Sequence, residues 1–262
     1  MTRSLILAAG EGKRLRPFTN HLPKALVAFL GRPLISYQLE ILMDAGIEDI
    51  AISTGFEANA FDKIGHSLYL NPDFDRTNMV ESLFAARSFI EETKEDLIIS
   101  YGDIIYQRDN LETILKKKGD IVVMVDDDWI DLWSIRNENP LIDAETMKFD
   151  NFSGRIIEIG KKPKRLDEIE SQYTGLIKIS KNKIADFLQF YDRLDRTRLY
   201  DGNTFTNMYM TSLLQLLIDS NWEVVPAHVS HGWLEVDTVS DLLNYERLKK
   251  SGGLDALWRH DK

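Results

Sequence analysis

The apolar run Leu5-Ile6-Leu7 breaks into the loop Ala8-Ala9-Gly10-Glu11-Gly12-Lys13-Arg14-Leu15-Arg16-Pro17-Phe18-Thr19-Asn20-His21-Leu22-Pro23-Lys24. A short apolar segment ended by glycine reads as a buried strand. Such a strand needs other layers to cover it, which constrains the fold more than any other stretch of the chain. The glycines let the loop turn tightly and bring backbone N–H groups close to a ligand. Lys13, Arg14, Arg16 and Lys24 face a single acid, Glu11, in a chain whose formal charge is −10. That combination suits a polyphosphate. Neither standard phosphate loop is present: there is no Gly-x-x-x-x-Gly-Lys-Ser/Thr, and Gly-x-Gly lacks its third glycine.

The rest of the chain alternates strand and helix patterns. Strands are predicted at 3–9, 50–54, 97–101, 121–125, 147–150, 156–159, 173–179 and 223–228, with a hairpin turn at 152–155. Helical spacing covers Ile35, Leu39, Leu42 and Met43, and predicts helices over 80–90, 111–117, 181–193, 206–219 and 239–250. Such alternation implies an α/β fold, Rossmann-like and three-layered, with a mostly parallel central sheet and helices on both faces. With no linker or repeat, the chain reads as one domain over 1–262. Within it two halves are distinguished, about 1–110 and about 111–262.

The acidic balance argues against binding nucleic acid or an anionic membrane surface. With no cysteine there is neither disulfide nor thiolate metal site, which fits a cytoplasmic protein. No basic region leads into a long apolar segment at the N-terminus. No apolar run approaches the roughly 20 residues that span a bilayer, so neither a signal peptide nor membrane insertion is expected.

The string Leu7-Ala8-Ala9-Gly10-x-Gly12-x-Arg14-x-x-Pro17-x-Thr19-x-x-x-Pro23-Lys24 resembles the signature of nucleotidyltransferases that join an NTP to a sugar phosphate or related small phosphate. Within that superfamily the chain is most similar to the bacterial phosphocholine cytidylyltransferase family, along nearly its whole length. The similarity extends through Thr77-Asn78-Met79-Val80-x-Ser82-Leu83, Ile99-Ser100-Tyr101-Gly102-Asp103-Ile104, Asp127-x-Trp129-x-x-Leu132-Trp133, Gln172-Tyr173-x-Gly175-Leu176 and Gly232-Trp233-Leu234-Glu235-Val236-Asp237.

That resemblance implies a Mg2+-dependent transfer in which CTP and a small phosphorylated acceptor give a CDP-linked product and pyrophosphate, with the nucleotide bound by the half at about 1–110 and the acceptor by the half at about 111–262. It implies that Arg14 and Lys24 act on the reacting phosphates. Leu7, Ala8, Ala9, Gly10, Gly12, Asn78, Ser82 and Gly102 would hold the nucleotide, although Asn78 also suits a helix N-cap. It makes Asp103 and Asp237 the metal ligands, and Mg2+ is usually held by one or two carboxylates. Glu235 is expected to point away from Asp237 if their segment is extended. Adjacent carboxylates diverge in most backbones, so Asp126-Asp127-Asp128 is read as loop and acceptor-site chemistry rather than a metal cluster.

Two features bear on the acceptor. Gly160-Lys161-Lys162-Pro163 places lysine where sugar-1-phosphate relatives carry the Glu of Glu-Lys-Pro, which disfavours a hexose and makes Lys162 a phosphate contact. Asp127, Trp129, Trp133, Tyr173 and Trp233 could hold a cationic group through aromatic faces and a carboxylate. Phosphocholine leads; a phosphonate or a phosphorylated amino acid follows. The alternatives are a sugar-1-phosphate uridylyl- or thymidylyltransferase and a non-catalytic nucleotide-binding regulator. A homodimer is compatible with the sequence.

Overall fold

In a computed structural model, described for residues 2–260, seven strands form the central sheet: β1 (Arg3–Ala8), β2 (Ile50–Thr54), β3 (Ser67–Leu70), β4 (Leu97–Tyr101), β5 (Ile121–Asp126), β6 (Gln172–Ile179) and β7 (Val224–Val229). Their order is β7-β5-β6-β4-β1-β2-β3. All run parallel except β6, which lies antiparallel between β4 and β5. Among the described residues the α-helices are α1 (Leu34–Asp44), α2 (Met79–Ala85), α3 (Arg87–Glu91), α4 (Arg108–Lys116), α5 (Trp129–Arg136), α6 (Ile184–Asp192), α7 (Met210–Asp219) and α8 (Val239–Ser251).

Alternation along β1 shows why both faces are covered. Ile6 and Ala8 join the core formed with α1, α4, α5 and α8, whereas Leu5 and Leu7 join the core formed with α2, α3, α6 and α7. Each of these residues is at least nine-tenths buried. Two helix layers sandwiching a mostly parallel sheet are the architecture the alternating pattern predicts. No helix among the described residues is long and apolar enough to cross a membrane.

Some elements differ from expectation. The single helix expected over 80–90 is two, because Ala86 leaves helical geometry at φ −91° and ψ 26°. Strand β3 and helix α5 are additional. So is an antiparallel ribbon that pairs Ile104–Tyr106 with Trp233–Glu235. The expected hairpin joins Met147–Phe149 to Ile156–Ile159, and Asp150 holds its turn by accepting from the Phe152 and Ser153 amides.

The ribbon decides where the site lies. Its register sets Glu235 opposite Ile104, and Val236 N–H donates to the Asp103 carbonyl at 2.9 Å. Two distant segments, each ending in an aspartate, are thereby zipped together at the carboxyl end of β4. Ligands of open α/β sheets gather at strand ends of this kind.

Candidate functional site

A cleft of about 440 Å3 opens at the ends of β1 and β4. Leu7, Ala8, Ala9, Gly10, Gly12, Asn78, Ser82 and Gly102 all line it, and Gly102 N–H donates to the Leu7 carbonyl at 2.8 Å. Every residue expected to hold the nucleotide therefore borders this cleft. Asn78 also caps α2, its Oδ1 accepting from Met79 N–H at 2.8 Å. Ser82 Oγ accepts from Asn71 at 3.0 Å.

Gly12 has a local reason to be glycine. Its φ is +65°, and a Cβ there would sit 2.9 Å from Cβ of Lys24. The loop thus folds its own start against its end, and the buried Thr19 hydroxyl pins the turn by donating to Gly12 C=O at 2.8 Å.

At the floor of the cleft, Lys24 Nζ lies 2.5 Å from both Asp103 Oδ2 and Asp237 Oδ1. Arg14 pairs with the other oxygen of Asp237. Burial disfavours the Lys24 charge, but Asp103 and Asp237 outweigh it and hold the ammonium protonated above its ordinary range. Burial likewise opposes ionisation of Asp237, yet Lys24 and Arg14 keep its pKa below the usual value. Lys13 and Arg16 both turn to Glu11 instead.

These two carboxylates fit a divalent cation. They converge on one point, and Asp103 Oδ1 is buried with no hydrogen-bond partner. A hard cation takes such carboxylate oxygens together with phosphate oxygens. No cluster of three or more metal-binding side chains exists among the described residues, so the pair would hold the ion together with the nucleotide.

Glu235 faces the same cleft as Asp237, contrary to expectation. Residues two apart on an extended chain share a face, so the ribbon brings both inward. Burial lifts the Glu235 carboxyl to about 7, against the opposing pull of Arg136.

A second pocket of about 210 Å3 adjoins the cleft and shares Met79, Tyr101 and Glu235 with it. Trp133, Tyr173 and Trp233, three of the residues expected at the acceptor, line it. Trp133 Nε1 is buried without a hydrogen-bond partner among the described residues. Gly175, at φ +89°, leaves room for the Tyr101 ring, which a Cβ would meet at 2.9 Å. Tyr101 then stands edge-on to Tyr173, ring centroids 5.7 Å apart.

Three expected acceptor contacts lie elsewhere. Asp127 accepts from Ser171 and pairs with His228 Nδ1 at 2.9 Å, because the three consecutive aspartates fan out to different partners. Asp126 takes the Trp233 indole N–H at 2.8 Å, and Asp128 takes Ser230. Trp129 is buried behind Trp133, edge-on at 5.9 Å, so it backs the pocket wall without reaching the pocket. Lys162 donates to the carbonyls of Leu141 and Ile142, and Lys161 pairs with Glu158 at 2.6 Å.

Asp143, Glu145 and Tyr209 complete the second pocket, and sequence reasoning missed all three. Glu145 is held by Thr211 Oγ1 at 3.5 Å, and burial raises its carboxyl to about 7. No described residue lining this pocket is a lysine, arginine or histidine.

Comparison with known proteins places this geometry. The model of the MobA-like NTP transferase domain matches residues 4–148. The CTP:phosphoglutamine cytidylyltransferase of Campylobacter jejuni is 43% identical over 249 residues, covering 91% of this chain and 97% of that protein. The choline-phosphate cytidylyltransferase of Streptococcus pneumoniae is 42% identical over 109 residues, 40% of this chain and 46% of that protein. Among solved structures, the inositol-1-phosphate CTP transferase from T. maritima superposes with a TM-score of 0.69 at 21% identity, covering 98% of this chain and 97% of that one. The last shows the shared fold; the family match and the first relative carry the kinship. The chain belongs to the MobA-like NTP transferase domain family and is a nucleotidyltransferase.

Proposed function

We propose that the protein is a Mg2+-dependent cytidylyltransferase that joins CTP to a small phosphorylated acceptor carrying a cationic amine, releasing pyrophosphate. One observation carries the acceptor class. The second pocket presents Asp143, Glu145 and Glu235 among aromatic rings, and no described cation lines it. Arg136 balances Glu235 and Asp143, whereas Glu145 forms no ion pair among the described residues and burial raises its carboxyl. Leaving such a carboxylate without a counter-charge is costly, so the pocket suits a positive group beside Glu145. Aromatic faces add attraction for an ammonium. The names of the relatives agree, since phosphoglutamine and choline phosphate both bear nitrogen.

The chemistry follows from where charge sits. An acceptor phosphate oxygen attacks the α-phosphorus of CTP; a new P–O bond forms as the bond to pyrophosphate breaks. The attacking phosphate is already ionised, so no general base is needed. Asp103 and Asp237 would hold the metal ion, which when bound supplies charge neutralisation on the phosphate oxygens. The glycine-loop backbone holds the nucleotide, and Arg14 and Lys24 neutralise the charge that develops as pyrophosphate departs. The acceptor's ammonium seats near Glu145, which leaves its phosphate at the boundary the two pockets share. Alignment of the two anions is the main catalytic contribution.

The test is pyrophosphate release across CTP, UTP, dTTP and GTP against phosphoglutamine, phosphocholine, 2-aminoethylphosphonate and glucose-1-phosphate, with Mg2+. CTP with an amine-bearing acceptor should turn over fastest. Faster turnover of UTP or dTTP with the hexose phosphate would refute the proposal.

A further inference from the structure

We infer that Arg136 is a positioning residue that ties the acceptor pocket to the carboxylate pair of the nucleotide cleft, a role that rests on the proposed two-pocket reaction. Arg136 is the last residue of α5, and its side chain is 3% exposed. Its guanidinium lies 5.4 Å from the Trp133 ring. One nitrogen reaches Glu235 Oε2 at 2.5 Å, another reaches Asp143 Oδ2 at 3.7 Å, and Nε reaches Asp241 Oδ1 at 3.4 Å.

Asp241 extends the link. Its second oxygen accepts from the backbone N–H of Asp237 at 2.9 Å and of Thr238 at 2.8 Å. Arg136 therefore touches two acids of the acceptor pocket and, through Asp241, the backbone that carries the metal-site aspartate. An arginine suits this place because its planar fork is always charged and donates in several fixed directions. A lysine keeps the charge but offers a single nitrogen, which cannot hold three carboxylates in one arrangement.

An acceptor ammonium drawn to Asp143 and Glu235 changes the field around that fork. Its effect passes to Asp237 through Asp241, so occupancy of one pocket and ion binding at the other should be coupled, and coupling of this kind is reciprocal.

The experiment compares the full-length wild type with Arg136→Lys and Asp143→Asn. Mn2+ affinity is read by electron paramagnetic resonance with the unreactive α,β-methylene analogue of CTP bound, with and without phosphoglutamine, alongside steady-state kinetics and thermal melting. In the wild type, phosphoglutamine should tighten Mn2+ binding about fivefold. Arg136→Lys should weaken Mn2+ binding several-fold, raise the phosphoglutamine KM about tenfold or more and lower kcat, while the CTP KM stays within about twofold. Asp143→Asn, at a half-exposed carboxylate that leaves no buried charge unpaired, should abolish the Mn2+ shift even if Arg136→Lys fails to fold. Absence of the shift in the wild type would overturn the inference. So would an Arg136→Lys protein that melts earlier yet keeps wild-type Mn2+ affinity and kinetic constants. Inactivity of the wild type toward every amine-bearing acceptor would count instead against the proposed function, and the effect of Arg136→Lys on Mn2+ affinity alone would still be readable.

Discussion

Replacing Glu145 with glutamine should make the protein more stable at pH 8 and a poorer catalyst at the same pH. Burial raises this carboxyl from its ordinary 4.5 to about 7, a displacement equivalent to about 3 kcal/mol. Glu145 is only partly buried, so solvent screening reduces the expected stability term to about 1–2 kcal/mol. For a carboxyl raised on folding, the stabilising contribution is complete below about pH 4.5 and is lost as pH climbs through 7. Glu145→Gln should therefore melt about 3–6 °C above the wild type at pH 8, and the two should converge near pH 5. Catalysis runs the other way, because the ionised carboxylate is the form that attracts the acceptor's ammonium. Its ionised fraction falls from about 0.9 at pH 8 to about 0.1 at pH 6, which raises the wild-type acceptor KM about tenfold. The acceptor phosphate also gains a proton near pH 6, so the variant serves as the reference. A hydrogen bond to a charged group contributes about 1.5–3 kcal/mol. The KM of Glu145→Gln should thus exceed wild type at least tenfold at pH 8, and the ratio should shrink towards unity at pH 6. Pyrophosphate release at saturating CTP, with phosphoglutamine and phosphocholine varied between pH 6 and 8.5, reads both quantities. A KM ratio independent of pH, or a variant less stable than wild type at pH 8, would refute the reasoning.

Three further substitutions test the nucleotide cleft. Lys24→Met leaves Asp103 and Asp237 without their shared cation and removes a positive charge from the reacting phosphates; turnover should fall about 10²–10³-fold in the pyrophosphate assay. Asp103→Asn should lower Mg2+-dependent pyrophosphate release about a hundredfold or more while circular dichroism stays native, and unchanged release would remove Asp103 from the mechanism. Gly12→Ala adds a methyl group at φ +65° against Cβ of Lys24. It should cost about 1–2 kcal/mol in denaturant unfolding and raise the CTP KM.

The alternation of apolar strands with amphipathic helices made the sheet and its two covering layers legible, because each signal is local and periodic. Strand β3 was not legible because Ser67 and Leu70 are exposed and Leu68 and Tyr69 only half-buried, so its four residues show little apolar contrast. The ribbon escaped because its pairing joins Ile104–Tyr106 to Trp233–Glu235, and no local signal reports so distant a partner. Helix α5 carries Trp129, Ile130, Leu132, Trp133 and Ile135 in a span of eight residues, which leaves no clean polar face to reveal a helix. The cleft was legible where function is written as a contiguous string, from Leu7 to Lys24. The second pocket was not, since Asp143 and Glu145 belong to no motif and come together only when Gln172 fixes their segment, taking Glu145 N–H at 3.1 Å and donating to Glu145 C=O at 2.5 Å. Asp127 and Trp129 show the converse: motif residues whose side chains serve the scaffold.

The loop cations have a consequence for the order in which the cleft fills. Each is already engaged: Lys24 by Asp103 and Asp237, Arg14 by Asp237, and Lys13 and Arg16 by Glu11. A polyphosphate that recruits Arg14 and Lys24 must separate them from carboxylates, and one that leaves them paired meets Asp103 and Asp237 as neighbouring negative charges. A divalent cation on those carboxylates removes the conflict. Calorimetry should therefore find CTP binding at least about tenfold weaker in EDTA than with Mg2+, equivalent to about 1.4 kcal/mol. The same reasoning gives an unusual expectation for Asp237→Asn. Losing that charge frees Arg14 and relaxes Lys24, so CTP binding in EDTA should become tighter than in the wild type even as Mg2+-dependent turnover collapses. Weaker CTP binding by Asp237→Asn in EDTA would show that the aspartate holds the loop in shape rather than competing for its cations.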